Sequence, residues 1–207
     1  MRLEEANVLV AGVGGQGNIL ASAIISKAAI DSGYKVIASE TFGASQRGGA
    51  VASHVRISRR SLSPLIPEGK GDILLGFEPV ESLRIGAKFL SPEGIAVVNT
   101  RSIYPVDVII GNRAYPSVEE ILRVLGGLSS KVITIEATRL AEEAGDPLAM
   151  NVVMVGALAG IERLDIELAV FKKTIEEMVP KRTIDLNLRA FDAGYGDIKK
   201  KIEREAP

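Results

Sequence analysis

Cysteine is absent from the 207-residue sequence. Its absence excludes disulfide bonds, thiolate nucleophiles and every iron–sulfur or zinc site that depends on Cys ligands. The sequence also contains a single His, which excludes a metal centre built from several His ligands of one chain. We therefore predict no metal site in this chain. Trp is absent and aromatic residues make up only 4%, so Val, Ile, Leu and Ala must build the core.

Charge of one sign is not in excess, because 25 basic residues are balanced by 26 acidic ones. This balance argues against a broadly basic surface, and we predict no nucleic-acid binding. No stretch reaches the roughly 18 consecutive apolar residues of a membrane span, so we predict no membrane insertion. Acidic residues in Met1–Glu5 stand where a secretory signal would have a basic start, and we expect a cytoplasmic protein.

Short apolar runs alternate with amphipathic stretches along the whole chain. Strands are predicted at 7–11, 35–39, 51–57, 73–76, 95–99 and 131–136, and helices after Gly17, after Glu78-Pro79, after Ser117, over 148–161, over 168–178 and over 185–195. We therefore predict the α/β class, with a three-layer α/β/α sandwich, Rossmann-like, around a mostly parallel or mixed sheet. Residues 1–207 show no internal boundary and are predicted to form one domain, with a charged, exposed tail from Gly196.

The stretch Leu148–Ile161 is predicted to be a helix that is apolar on nearly all sides. It carries no charge before Glu162. Such a helix must be covered, either by the rest of this chain or by a partner. The sequence leaves both interpretations open.

A glycine-rich segment follows the first predicted strand and opens the first predicted helix. It consists of Gly12, Gly14, Gly15, Gln16 and Gly17 and fits the G-x-G-x-x-G pattern. This pattern permits a tight turn and presents helix N–H groups to a phosphate. Glu40 lies roughly where a dinucleotide-binding fold places its ribose-binding acid. The alternative is that the glycines only allow close packing of strand and helix.

A second candidate site precedes the third predicted strand. Ser45, Gln46 and Arg47 are suited to binding an anionic or carbonyl group, and the Gly48-Gly49 pair permits close backbone approach. His54 and Arg56 follow on one face of the strand. The alternative is an ordinary surface loop, with His54 as a structural residue that has no evident catalytic partner.

Several motifs in a fixed order resemble the gamma-type domain of the 2-oxoacid:ferredoxin oxidoreductases, and within that family the indolepyruvate type. They are Gly12–Ser22 (GVGGQGNILAS), Ser45–Ile57 (SQRGGAVASHVRI), Ser63–Gly69 (SPLIPEG), Asp72–Arg84 (DILLGFEPVESLR), Val98-Asn99-Thr100 and Asn187–Tyr195 (NLRAFDAGY). The Gly12–Gly17 element alone is a weak signal. Its combination, in this order, with the QRGG segment Gln46–Gly49 and the SPLIPEG segment Ser63–Gly69 is specific for the family.

The resemblance implies a subunit of a complex that oxidatively decarboxylates arylpyruvates such as indolepyruvate to aryl-acetyl-CoA. It implies no cofactor in this chain, with thiamine diphosphate and iron–sulfur clusters in a larger alpha subunit, ferredoxin as electron acceptor and coenzyme A as co-substrate. The coenzyme A phosphates would suit the Gly12–Gly17 turn or Arg47. Catalytic residues within this chain stay unassigned.

Other functions are compatible with the sequence. A gamma subunit of a pyruvate or branched-chain 2-oxoacid enzyme has related motifs. A stand-alone NAD(P)-binding oxidoreductase would use the glycine turn, although His54 is the single His and no base on the nicotinamide is evident. A scaffold without a ligand of its own is the third possibility.

Overall fold

The computed structural model describes residues 5–42, 49–59 and 63–205. Within these ranges the chain forms six strands: β1 Ala6–Val13, β2 Lys35–Phe42, β3 Ala50–Ser58, β4 Gly71–Gly76, β5 Leu90–Asn99 and β6 Lys131–Ile135. The same ranges contain eight α-helices: α1 Asn18–Asp31, α2 Pro79–Phe89, α3 Val106–Ile109, α4 Val118–Leu128, α5 Ala137–Ala144, α6 Met150–Ile161, α7 Leu168–Met178 and α8 Ile184–Glu205.

The strands form one mixed sheet in the order β2-β3-β1-β4-β5-β6. β1, β4, β5 and β6 are parallel, whereas β3 runs antiparallel to both of its neighbours, β1 and β2. The predicted unit of β1, α1 and β2 therefore has a third strand inserted between its two parallel strands. A mixed sheet was one of the two predicted arrangements, and it is the one observed.

Both faces of the sheet are covered, as expected for three layers. Alternate residues of β1 divide between two apolar cores: Val8 and Val10 pack with α1, α5, α6, α7 and α8, while Leu9 and Ala11 pack with α2 and α4. This division follows from the two-residue period of a strand. The predicted α/β/α sandwich is confirmed.

Helix α6 is buried along its entire length. Each residue from Met150 to Ile161 is less than 10% exposed within this chain alone. The interpretation that the chain itself covers the helix is therefore correct, and α6 does not face a partner. The predicted start was two residues early, because Pro147–Ala149 form a 3-10 helix and Leu148 is exposed.

Close contact between α6 and α8 depends on glycine. A Cβ atom on Gly156 would overlap the carbonyl oxygen of Phe191, and one on Gly194 would overlap the carbonyl oxygen of Val153. The two backbones therefore touch where neither residue has a side chain. This approach leaves no room for solvent along that side of α6.

The C-terminal helix is longer than predicted. α8 continues through Gly196 to Glu205, so the prediction of an exposed tail from Gly196 was wrong. Ile198 is fully buried, and Lys201 Nζ donates to the Thr134 carbonyl oxygen at 2.8 Å. Apolar residues spaced one helical turn apart hold the charged segment against the sheet. The many charged residues between them made this pattern hard to recognise in the sequence.

Two glycines of α8 provide a test of the helix contact. We expect Gly194→Ala to lower the free energy of unfolding by about 1–3 kcal/mol, because its methyl group must push the two backbones apart. The control is Gly196→Ala in the same helix, where no described atom lies within 4 Å of the new methyl group. The control should raise the unfolding free energy by about 0.5–1 kcal/mol through helix propensity. Equal effects in urea denaturation would contradict the packing account.

Candidate functional site

The glycine turn lies where the sequence predicts it, between the end of β1 and the start of α1. Gly14 N donates to the Gly49 carbonyl oxygen at 2.8 Å, which joins the turn to the segment before β3. Gly15 and Gly17 have φ values of 101° and 77°, conformations that favour glycine. Gly17 is the N-cap of α1, and its lack of a side chain leaves the first N–H groups of the helix without a side-chain cap.

The Gln16 side chain occupies the crevice between the ends of β1 and β4. Its Oε1 accepts from Val13 N at 2.8 Å, and its Nε2 donates to the Phe77 carbonyl oxygen at 3.0 Å. The helices after β1 and β4 lie on opposite faces of the sheet, so this is the topological switch point where open α/β sheets bind ligands. Here the Gln16 side chain fills the switch point.

Packing explains two glycines of the motif without a ligand. A Cβ on Gly12 would lie 2.6 Å from Gln16 Oε1 and 2.7 Å from Asn18 Oδ1. A Cβ on Gly17 would overlap the side-chain amide of Asn151 in α6. Gly15 differs, because no atom of the described chain lies within 4 Å of the position that its Cβ would take. Ligand binding by the predicted set Gly12, Gly14, Gly15, Gln16 and Gly17 stays a prediction, and Gly15 is its most open member.

A groove of about 300 Å³ lies beside the turn, at the carboxyl edge of the sheet. It is lined by Gly15, Gln16, Gly17, Arg101, Ile103, Thr138, Glu142, Pro147, Leu148 and Met150. A second hollow of about 230 Å³ shares Arg101, Thr138 and Glu142 with it and extends past the ends of β5 and β6. Sequence reasoning missed these residues, although Arg101 and Thr138 each come two residues after a predicted strand, where site residues of α/β folds concentrate.

The groove combines helix N-termini with one cation. The N-termini of α1 and α5 both border it, and their N-cap residues, Gly17 and Glu136, provide no side-chain hydrogen bond to the helix. Arg101 Nη1 lies 3.9 Å from Glu142 Oε1, so this carboxylate offsets part of its charge. The positive ends of two helix dipoles and a partly paired guanidinium favour an anionic group at this position.

Asn99 fixes the geometry of this edge. Its Nδ2 donates to the Phe77 carbonyl oxygen at 3.1 Å and to Thr138 Oγ1 at 3.3 Å, and its Oδ1 accepts from Ala137 N at 3.1 Å. One buried side chain thus joins the ends of β4 and β5 to the first turn of α5. Thr138 is held at the groove as a result.

The second predicted site lies outside the described residues. Ser45, Gln46 and Arg47 belong to this unplaced part, so their role stays a prediction. The structure does place the flanks of that loop, because Ala50 at the start of β3 pairs with Val13 at the end of β1. Gly49 and Ala50, the first described residues after this part, therefore lie at the same edge as the glycine turn.

Glu40 does not take the position of a ribose-binding acid. β3 separates its strand from β1, which puts two strand spacings, about 10 Å, between β2 and the turn. Glu40 Oε1 instead accepts from Ser22 Oγ of α1 at 3.4 Å. The arrangement differs from a dinucleotide-binding fold, in which these strands are neighbours.

His54 is a structural residue of the sheet. It is 1% exposed, and its ring meets the edge of Phe89 at a centroid distance of 4.8 Å. Burial, and secondarily the charge of Lys88, lowers the pKa of His54 below its ordinary value. The imidazole is thus held neutral on the face covered by α2, away from the groove.

Neither a metal-binding cluster nor a membrane-spanning helix is present in the described part of the chain. No three His, Asp or Glu side chains among residues 5–42, 49–59 and 63–205 are grouped so that they could hold a metal ion. No helix within these ranges combines the length and the apolar character needed to cross a membrane.

Comparison with known proteins gives consistent matches over most of the chain. Residues 7–196 match the family described as pyruvate ferredoxin/flavodoxin oxidoreductase. Indolepyruvate oxidoreductase subunit IorB of Archaeoglobus fulgidus is 42% identical over 91% of this chain and 93% of its own length. Pyruvate synthase subunit PorC of Methanothermobacter marburgensis is more distant, at 30% identity over 91% of this chain and 94% of its own length.

Solved structures share the fold. A keto/oxoacid ferredoxin oxidoreductase gamma subunit from Geobacter sulfurreducens superposes with a TM-score of 0.69, at 24% identity, over 93% of this chain and 98% of that one. The 2-oxoglutarate:ferredoxin oxidoreductase of Magnetococcus marinus, solved with 2-oxoglutarate, coenzyme A and succinyl-CoA bound, gives a TM-score of 0.71 at 23% identity. The match covers 97% of this chain but 32% of that one, so this fold occupies about a third of the longer chain.

The two hydrogen bonds of Gln16 can be tested by substitution. We expect Gln16→Ala to lower the free energy of unfolding by about 1–3 kcal/mol, because it leaves a partly buried backbone N–H without its acceptor. Gln16→Glu retains an acceptor for Val13 N but sets a carboxylate oxygen against the Phe77 carbonyl, and should cost at least as much. Urea denaturation of the isolated chain measures both. Values within about 0.5 kcal/mol of the parent would show that Gln16 does not hold the crevice closed.

Proposed function

The chain belongs to the pyruvate ferredoxin/flavodoxin oxidoreductase family, and we propose that it is the small subunit of an enzyme that acts on arylpyruvates. As a subunit of an oxidoreductase complex, it would take part in the conversion of indolepyruvate, coenzyme A and oxidised ferredoxin to the aryl-acetyl-CoA, carbon dioxide, a proton and reduced ferredoxin, which receives the two electrons released by the decarboxylation. The observation that carries this proposal is the 42% identity to an indolepyruvate oxidoreductase subunit, against 30% to a pyruvate synthase subunit.

The cofactors of such an enzyme belong on another subunit. Iron–sulfur clusters need thiolate ligands, and this chain has no Cys. The sequence also has no G-D-G…N signature for thiamine diphosphate. These groups supply carbanion stabilisation and electron transfer when bound to the larger subunit. The Magnetococcus marinus protein, in which the same fold makes up about a third of one chain, supports assembly with a larger partner.

We assign to this chain the binding of the anionic part of coenzyme A in the groove. Arg101 and the N-termini of α1 and α5 provide the positive potential that its phosphates require. Gly15 permits close approach, since no side chain covers it. Arg47, predicted from the sequence, precedes Gly49 by two residues and would add a second cation. The exposed Leu148 provides an apolar wall for the rest of the molecule.

Reconstitution tests this function. The isolated chain should be colourless, bind no thiamine diphosphate and show no turnover, because it lacks ligands for both cofactors. Combined anaerobically with the larger subunit, it should support indolepyruvate- and coenzyme A-dependent reduction of ferredoxin. Turnover by the isolated chain would contradict the dependence on a partner, and a higher kcat/KM for pyruvate than for indolepyruvate would contradict the substrate class.

The same assay tests the groove through two arginines. In the reconstituted complex Arg101→Ala should raise the KM for coenzyme A about tenfold, the value of one charge-assisted contact, and leave the KM for indolepyruvate unchanged. Arg123→Ala is the matched control. Arg123 is also exposed, but it lies on α4, which covers the face of the sheet opposite to α1 and α5. Equal KM values for coenzyme A in both variants would place its phosphates elsewhere.

A further inference from the structure

An exposed apolar segment borders the groove, and we call residues 103–110 the apolar arm. It contains α3, in which no residue is buried. The large apolar side chains of the arm that stand in solvent are Ile103, Tyr104, Val106, Ile109 and Ile110, which are between 38% and 71% exposed. With Leu148, which is 77% exposed, they make up six of the nine large apolar side chains that the described chain exposes. Such a concentration differs from the singly scattered apolar residues of an ordinary surface.

A buried carboxylate holds both ends of the segment that carries the arm. Glu78, the N-cap of α2, is 1% exposed. Its Oε1 accepts from Ile103 N at 3.4 Å and from the hydroxyl of Tyr115. The rings of Tyr104 and Tyr115 meet edge to face at 4.9 Å. The arm is therefore attached at one point of the core at its beginning and just beyond its end.

The backbone of the arm is internally hydrogen-bonded although its side chains are exposed. Ile109 N donates to the Pro105 carbonyl oxygen at 3.1 Å, and Ile110 N donates to that of Val106 at 2.9 Å. A segment fixed in this way loses little conformational entropy when it is covered, which favours association. Burial of its side chains would in addition remove a large apolar surface from water.

We propose that the apolar arm is the docking surface for the larger, thiamine diphosphate-bearing subunit, an inference that rests on the function proposed above. Most of the large apolar side chains that the described chain exposes lie on the arm, and a partner would bury them in the core of an interface. The surface is also continuous with the proposed coenzyme A site, since Ile103 and Leu148 line the groove. A partner that binds the arm therefore also faces the groove. The subunit that forms the acyl group must do so, because it delivers that group to coenzyme A.

A second copy of this chain suits the arm less well. A symmetric dimer through this surface would bring two identical grooves together and cover both. The larger subunit, in contrast, must reach the groove in order to deliver the acyl group to coenzyme A. Geometry therefore favours the heteromeric contact.

Two exposed isoleucines, each in the last turn of a helix, provide a matched test. Ile109 of the arm is 71% exposed, and Ile30 at the far end of α1 is 54% exposed. We expect Ile109→Asp to weaken binding of the purified chain to the thiamine diphosphate-loaded larger subunit at least tenfold, measured by biolayer interferometry, with Ile30→Asp within twofold of the parent. Circular dichroism melting of each isolated variant should give the parent's midpoint, because neither side chain is buried.

The outcomes separate this inference from the proposed function. If the parent chain fails to bind the larger subunit or to support turnover, the proposed function is wrong. If the parent complex forms and turns over but Ile109→Asp binds equally well, the function stands and the docking surface is wrong. Sedimentation of the parent chain as a dimer that Ile109→Asp dissociates would assign the arm to self-association and overturn the proposal.

Discussion

The contact between the backbones of α6 and α8 is the constraint on which the rest of the structure depends. Gly156 and Gly194 allow each helix to lie against carbonyl groups of the other. This approach encloses α6 completely and turns an apolar helix into the centre of one layer. It also fixes the N-terminus of α6, where Asn151 packs against Gly17 and Met150 lines the groove. The shape of the candidate site is therefore set by a packing contact on the far side of the helix.

The glycine turn at the carboxyl edge of the sheet differs from the turn of a dinucleotide-binding fold. In a dinucleotide-binding fold the glycines and the switch point receive the ligand. Here Gln16 closes the switch point, and Gly12 makes room for Gln16 and Asn18. The open space is displaced towards Arg101 and Thr138, beyond the end of β5. The groove thus lies between the glycine turn and an exposed apolar segment.

Two carboxylates organise the edge in different ways. Glu142 lies in the groove and offsets part of the charge of Arg101. Glu78 is buried and accepts hydrogen bonds from Ile103 N and the Tyr115 hydroxyl. The hydroxyl of Tyr115 donates to Glu78, and burial together with this bond raises the pKa of the tyrosine. The phenol therefore stays protonated and continues to hold the end of the segment that carries the apolar arm.

Local signals made much of the fold predictable. Apolar runs marked the six strands, and Glu78 and Ser117 marked helix starts at which their side chains cap the first turn. The insertion of β3 between β1 and β2 had no such signal, because strand order depends on long-range pairing. Helix α5 was missed although its apolar and charged residues alternate at helical spacing; it is only eight residues long, and its buried face consists of the small residues Ala137, Ala141 and Ala144.

Only part of the site could be predicted from the sequence, because some of its residues are far apart along the chain. The glycine turn is contiguous in sequence, so its pattern could be read directly. Arg101 and Thr138 follow two separate strands, β5 and β6, and meet only through the sheet and the hydrogen bonds of Asn99. The burial of α6 could not be distinguished from a partner contact, since both require the same apolar sequence.

Hydrogen–deuterium exchange on assembly tests the central claim, that the carboxyl edge of the sheet faces the larger subunit. Peptides covering the glycine turn and residues 103–110 should exchange more slowly in the complex than in the isolated chain, because the partner would cover both. Peptides from α4, on the opposite face, serve as the internal reference and should be unchanged. Protection of α4 with unchanged exchange at the turn and the arm would contradict the account.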